Sequence, residues 1–187
     1  MKTLAFKSSA AFRKWLAKNQ SHQEGLWLRI FKKNSCEPTV TYTEALDQAL
    51  CFGWIDGQKK SHDEKSWIQR LTPRRARSSW SKINTGHAER LIASGEMAAA
   101  GLAAIEAAKA DGRWQAAYDS QRNAAPPEDF LKALGKDKKA KTFFESLNKA
   151  NVYAIAYRLQ TAKKPETRER RLKQILEMMT RGEKFHP

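Results

Sequence analysis

Cysteine is nearly absent: Cys36 and Cys51 are the only two in 187 residues. One lies in a proline-flanked stretch and the other inside an apolar helical pattern, which excludes a disulfide-built fold and predicts two reduced thiols. Long apolar runs are missing as well. No segment approaches the ~20 residues of a membrane span, and Lys7, Arg13 and Lys14 interrupt the N-terminus so that no signal h-region forms. A cytoplasmic protein is the expectation. His22, His62, His87 and His186 never fall at i, i+3 or i+4, and two isolated cysteines cannot complete a zinc set, so neither a metal nor another cofactor is expected. Internal repeats and low-complexity tracts are lacking too, apart from a short alanine-rich patch.

Acidic residues are scarce relative to basic ones, 20 against 35, for a net charge of +15. Such an excess predicts attraction to nucleic acid or to an acidic protein and says nothing of the fold. Hydrophobic residues make up 41% of the chain and aromatics 10%, enough for a substantial core in one or two domains.

The periodicities predict an α+β fold: a small antiparallel sheet packed with helices in the N-terminal part and an all-helical C-terminal part. Ser8 or Ser9 can cap a helix carrying Phe12, Trp15 and Leu16 on one face, ended by SHQEG at residues 21–25. Gly25 to Lys33 is apolar on both faces, as in a central strand. Thr41 with Glu44 forms a capping box for a helix that stops at Gly53. Asp56-Gly57 reads as a turn, and the segments Trp54 to Lys60 and Ser66 to Arg70 read as a strand pair whose Trp54 and Trp67 are buried. Helices follow after Pro73, the last from Pro165 to Arg181 with Gly182 as its stop. The boundaries expected are 1–118 for an α+β domain with trailing helices, 119–129 for a linker, and 130–187 for a helical domain.

The positive charge gathers in two places. Residues 59–90 hold nine basic and three acidic side chains, and 126–187 hold fifteen and eight. In the first group Lys59, Lys60, Arg70, Arg74, Arg75, Arg77 and Lys82 form a candidate anion-binding surface, with Trp67 and Trp80 interleaved. Arginine with aromatics is what single-stranded nucleic acid prefers. The other reading makes the tryptophans core anchors and the arginines a solvated rim. In the second group Lys163, Lys164, Arg168, Arg170 and Arg171 read as the wet outer face of an amphipathic helix.

Catalytic chemistry has little support. Cys51, His62 and Asp56 or Asp63 fall close in sequence, but Cys51 between Leu50 and Phe52 reads as a small buried thiol. GWIDGQK lacks the GK[ST] ending of a phosphate loop, so its glycines read as a helix stop and a turn. Trp54, Asp56 and Gln58 are the candidate lining of a small-molecule pocket, the basis of an alternative enzymatic reading.

The motifs TYTEA (41–45), ALCFGWIDGQKK (49–60), QRLTP (69–73), WSKIN (80–84), DGRW (111–114) and the stretch 161–186, taken in order, resemble the YdeI/OmpD-associated or bacteriocin-protection family. The resemblance runs from about Trp27 onward and implies an N-terminal part similar to the YdhG/YjbR-like proteins. It also implies a link to bacteriocin protection or envelope stress, and by name a porin partner. The absence of an export signal points instead to a cytoplasmic role, and no catalytic residue transfers. The function read from the sequence is that of a non-enzymatic stress-tolerance or bacteriocin-protection protein binding an anionic partner through basic surfaces.

Overall fold

The computed structural model describes residues 1–20 and 24–187; His22 and the start of SHQEG lie outside the described residues. The chain divides into two compact units, one of residues 1–80 with 84–115 and the other of 81–83 with 116–187.

The first unit is built on four strands, β1 (Thr3–Ala5), β2 (Leu26–Phe31), β3 (Trp54–Ser61) and β4 (Ser66–Pro73), in the order β1-β2-β4-β3. The sheet is mixed rather than antiparallel. β1 pairs parallel with β2, whereas β2 with β4 and β4 with β3 run antiparallel. The parallel pair has a topological cause: helix α1 (Ser9–Lys18) carries the chain from one edge back to the start of its neighbour, and such a return yields parallel strands. β2 is central as its two-sided apolar pattern requires, and Leu26, Leu28 and Ile30 are buried on one face.

That face, with Leu71 and Trp54, forms the core together with Phe12 and Leu16 of α1 and Ala45, Leu46, Ala49 and Leu50 of α2 (Tyr42–Cys51). The Ser8 hydroxyl caps α1, and Thr41 and Glu44 make the complete capping box of α2. Arg13 ties α1 to its neighbours, donating to Gln48 Oε1 and to the Glu96 carbonyl, each at 2.8 Å. Gly53 stops α2 at φ +72°, the left-handed conformation that glycine reaches without a Cβ penalty. α3 (Lys82–Ala93) and α4 (Ala99–Ala110) follow, and the Trp114 ring lies 4.9 Å from that of Trp80.

The second unit contains α5 (Glu128–Leu134), α6 (Lys138–Glu145), α7 (Lys149–Gln160) and α8 (Pro165–Arg181). Its core is Phe130, Leu134, Ala140, Ile155, Leu159, Ile175 and Met179. Asp137 and Asn148 cap α6 and α7, Pro165 opens α8, and Gly182 closes it in the left-handed region. Buried Asn151 accepts from the backbone N–H groups of Phe185 and His186, both at 2.9 Å, which fastens residues 185–186 to α7.

Two measurements check this packing. Trp54 keeps 1% of its surface exposed, so Trp54→Ala lowers stability by about 3–5 kcal/mol in chemical denaturation, the range for emptying an aromatic site; an unchanged midpoint contradicts the core described. Both cysteines are free, Cys36 exposed and Cys51 buried, and burial pushes the Cys51 thiol above its ordinary value despite the nearby Arg13. Alkylation of the native protein therefore adds one adduct and of the unfolded protein two, without reductant.

Candidate functional site

Strand pairing decides which side chains face water. Residues opposite one another across a strand pair share a face, so Trp27 with Arg70, Arg29 with Ile68, and Phe31 with Ser66 lie together on the side of the sheet away from Leu26, Leu28 and Ile30. Thr3 and Ala5, paired with Trp27 and Arg29, extend this face. Trp27, Arg29, Phe31, Ile68 and Arg70 are only partly buried, and Lys60, Thr3 and Ala5 are exposed.

A β-bulge places the lysines. Between Asp56 and Lys59 the register with β4 shifts, so that Lys59 opposes Gln69 and Lys60 opposes Ile68. Unbroken alternation from Trp54 would put Lys59 on the open face and Lys60 on the other; the extra residue exchanges them. Gln69, 3% exposed, holds the bulge by donating from Nε2 to the carbonyls of Gly57 at 2.9 Å and Gln58 at 3.3 Å. Asp56-Gly57 is thus part of a strand and not the expected turn.

Cations lie against rings on both faces. The Lys60 ammonium is 4.9 Å from the Trp27 centroid, the Arg29 guanidinium 4.4 Å from Phe31, and the Lys59 ammonium 4.3 Å from Trp67. Each such contact contributes ~0.5–1 kcal/mol at a wet surface, too little to hold a lysine against an incoming phosphate. Arg29 is more firmly fixed: it donates to Ser66 Oγ at 2.9 Å and to Asp63 at 2.7 Å. Trp67 is only partly buried, against the burial expected of it, and packs 6.1 Å from Tyr42.

At one corner of the open face is a cavity of about 400 Å³ whose lining includes Ile55, Gly57, Arg70, Arg74 and Arg75. Gly25 shapes its surroundings at φ +74°, since a Cβ there would stand 2.3 Å from the Leu71 carbonyl. Arg74 lies 3.5 Å from the Trp80 ring and donates to the Ser79 carbonyl, so it is a packed arginine, whereas Arg75 and Arg77 are exposed. The structure therefore brings Lys60, Arg70, Arg74 and Arg75 to one side. Lys59 stands on the opposite face beside Trp67, and Lys82 belongs to the second unit, where it pairs with Asp119 at 2.8 Å.

Trp54 is a core residue, Asp56 accepts from the Tyr42 hydroxyl at 2.7 Å, and Gln58 is exposed on the bulge. Alternation turns Trp54 and Asp56 away from the cavity, which their neighbours Ile55 and Gly57 line instead. Cys51 is buried while His62 is exposed at the tip of the β3–β4 hairpin, 3.9 Å from Asp63. Sequence reasoning missed Trp27, Phe31 and a further cluster on α2 and α3, where Asp47 meets His87 at 3.0 Å and Arg90 at 2.7 Å. The alternation of residues 26–31 carried the signal for the first two; nothing local marks the third. Among the described residues, no group of His, Cys, Asp and Glu could hold a metal, and no helix is long and apolar enough to cross a membrane.

Residues 4–104 match a family described as a domain of unknown function, DUF8412, in place of the YdhG/YjbR-like similarity expected there. Residues 123–182 match the family described as bacteriocin-protection, YdeI or OmpD-associated. The latter description thus covers the helical C-terminal stretch, while TYTEA and ALCFGWIDGQKK fall within the former. No curated protein matches the chain, and no solved structure does.

Burial first, and then the hydrogen bond and charge of Asp56, raise the Tyr42 phenol well above the ordinary tyrosine value. In Asp56→Asn the phenol titrates at lower pH than in the wild type, because the carboxylate that accepts its hydrogen bond and opposes its ionisation is gone. Alkaline difference absorbance against Tyr42→Phe measures this, and an unshifted titration contradicts the assigned contact.

Proposed function

We propose, for a chain that belongs to the DUF8412 family over more than half its length, that the open face of the sheet binds single-stranded nucleic acid. One observation carries the reading: Trp27 and Phe31 share a partly open sheet surface with Lys60, Arg29 and Arg70, and Arg75 borders the same corner. Aromatic rings give bases a stacking platform of ~1–3 kcal/mol per base, and cations at its margin follow the phosphates. An acidic protein surface offers the cations a partner but leaves the rings without one. The enzymatic alternative has less support, since Trp54 is core and Asp56 is engaged by Tyr42.

On this reading the protein is a non-enzymatic, cytoplasmic stress-tolerance factor; the description matched at 123–182 supports the bacteriocin-protection type alone. Residues 1–118 and 130–187 act as separate domains joined through 119–129. The α8 charges contribute less, because Arg168 forms a two-pronged pair with Asp129 and Arg171 donates to the Arg158 carbonyl at 2.7 Å.

Fluorescence anisotropy with single-stranded and duplex oligonucleotides at a series of salt concentrations tests the reading. Affinity for the single strand falls with salt at a log-log slope of about −0.7 per phosphate contacted, and the combined Lys60→Ala, Arg75→Ala and Arg77→Ala variant reduces that slope by roughly two. Arg74 is left intact because of its packing on Trp80. The combined Lys163→Ala, Lys164→Ala and Arg170→Ala variant keeps the wild-type slope. Salt-independent binding, or equal losses from both variants, overturns the reading in favour of a protein partner.

A further inference from the structure

The cavity at the corner of the open face differs chemically from the platform beside it. Its lining gathers three guanidinium groups, Arg70, Arg74 and Arg75, against the single carboxylate of Glu24, together with the hydroxyl-bearing Thr72 and Ser78. The Glu24 side chain is 75% exposed, which puts its charge largely in water. Arg70 Nε is buried and has no hydrogen-bond partner among the described residues. A buried guanidinium N–H left unbonded costs free energy that a bound acceptor recovers. The Arg70 stem packs beside Gly57: a Cβ there would lie 3.8 Å from Arg70 Cβ and Cδ, ordinary van der Waals contact.

Resting on the nucleic-acid reading above, we infer that this cavity is the subsite for a terminal phosphate of the bound strand. The surplus of two positive charges suits a phosphomonoester, which carries about −1.5 to −2 near neutral pH, better than an internal diester with its single charge. Planar guanidinium forks also match phosphate oxygens in pairs. Arg70 stands directly opposite Trp27 in the strand register, so a phosphate in the cavity adjoins a base stacked on that ring.

The experiment compares one single-stranded sequence in three forms, 5′-phosphorylated, 3′-phosphorylated and with hydroxyl ends, at constant salt. One phosphorylated form binds about tenfold more tightly than the hydroxyl form, the size of effect that one added charge-assisted contact gives. In Arg70→Lys and in Arg75→Gln the ratio of the two affinities falls to near one; Arg75 is exposed, so the second variant stays informative if the first unfolds. Circular dichroism confirms which variants are folded. Equal binding of all three forms by the wild type, or a preference unchanged in folded variants, overturns the subsite and leaves the platform standing. Binding of none of the three overturns both.

Discussion

The bulge in β3 and the buried amide that holds it determine what the rest of the sheet can present. Two carbonyls, of Gly57 and Gln58, lose regular ladder partners where the register shifts, and Gln69 Nε2 supplies bonds to both. Gly57 and Gln58 are exposed but Gln69 is 3% exposed, and leaving its buried amide unbonded costs ~1–3 kcal/mol, so the bulge and the amide stabilise one another. With it in place, Lys60 joins Trp27 and Arg70 on one face and Lys59 joins Trp67 on the other. Without it the two lysines exchange sides, and Lys60 leaves the face that carries Trp27 and Arg70.

The two basic regions differ in what their charges do. In α8 and its surroundings many are committed internally: Arg168 to Asp129, Arg171 to the Arg158 carbonyl, Arg181 to Glu183. These pairs hold Asp129 and Glu183 below the usual carboxylate range, chiefly through the arginine hydrogen bonds. In the sheet, Lys59 and Lys60 rest on rings, contacts that a phosphate can replace at little cost. A count of lysine and arginine sees no such difference, whereas hydrogen-bond partners do.

Much of the helical structure was legible in the sequence. Pro165 and Gly182 bracket α8, Asn148 caps α7, and Thr41 with Glu44 marks the start of α2, all through local backbone chemistry. The sheet was less so. Thr3–Ala5 is three residues long and shows no alternation to read, so the parallel edge strand escaped notice and the sheet was expected to be antiparallel. Asp56-Gly57 has turn composition, yet here it answers to the partner strand, whose Gln69 lies twelve residues from Gly57. Lys82 fell in the basic run by sequence, but its partner Asp119 is distant along the chain. The candidate site failed to be legible for the same reason: its rings come from β2 and its cations from β3 and β4, and only register brings them together.

Crosslinking reads the open face most directly. A single-stranded oligonucleotide carrying photoreactive thiopyrimidine bases is irradiated on the intact protein, and adducts are mapped by mass spectrometry. The account predicts adducts mapped to Trp27 or Phe31 foremost, and otherwise to the open-face positions Lys60, Ile68 and Arg70. Adducts confined to α8, or to the opposite face beside Tyr42 and Trp67, would contradict it.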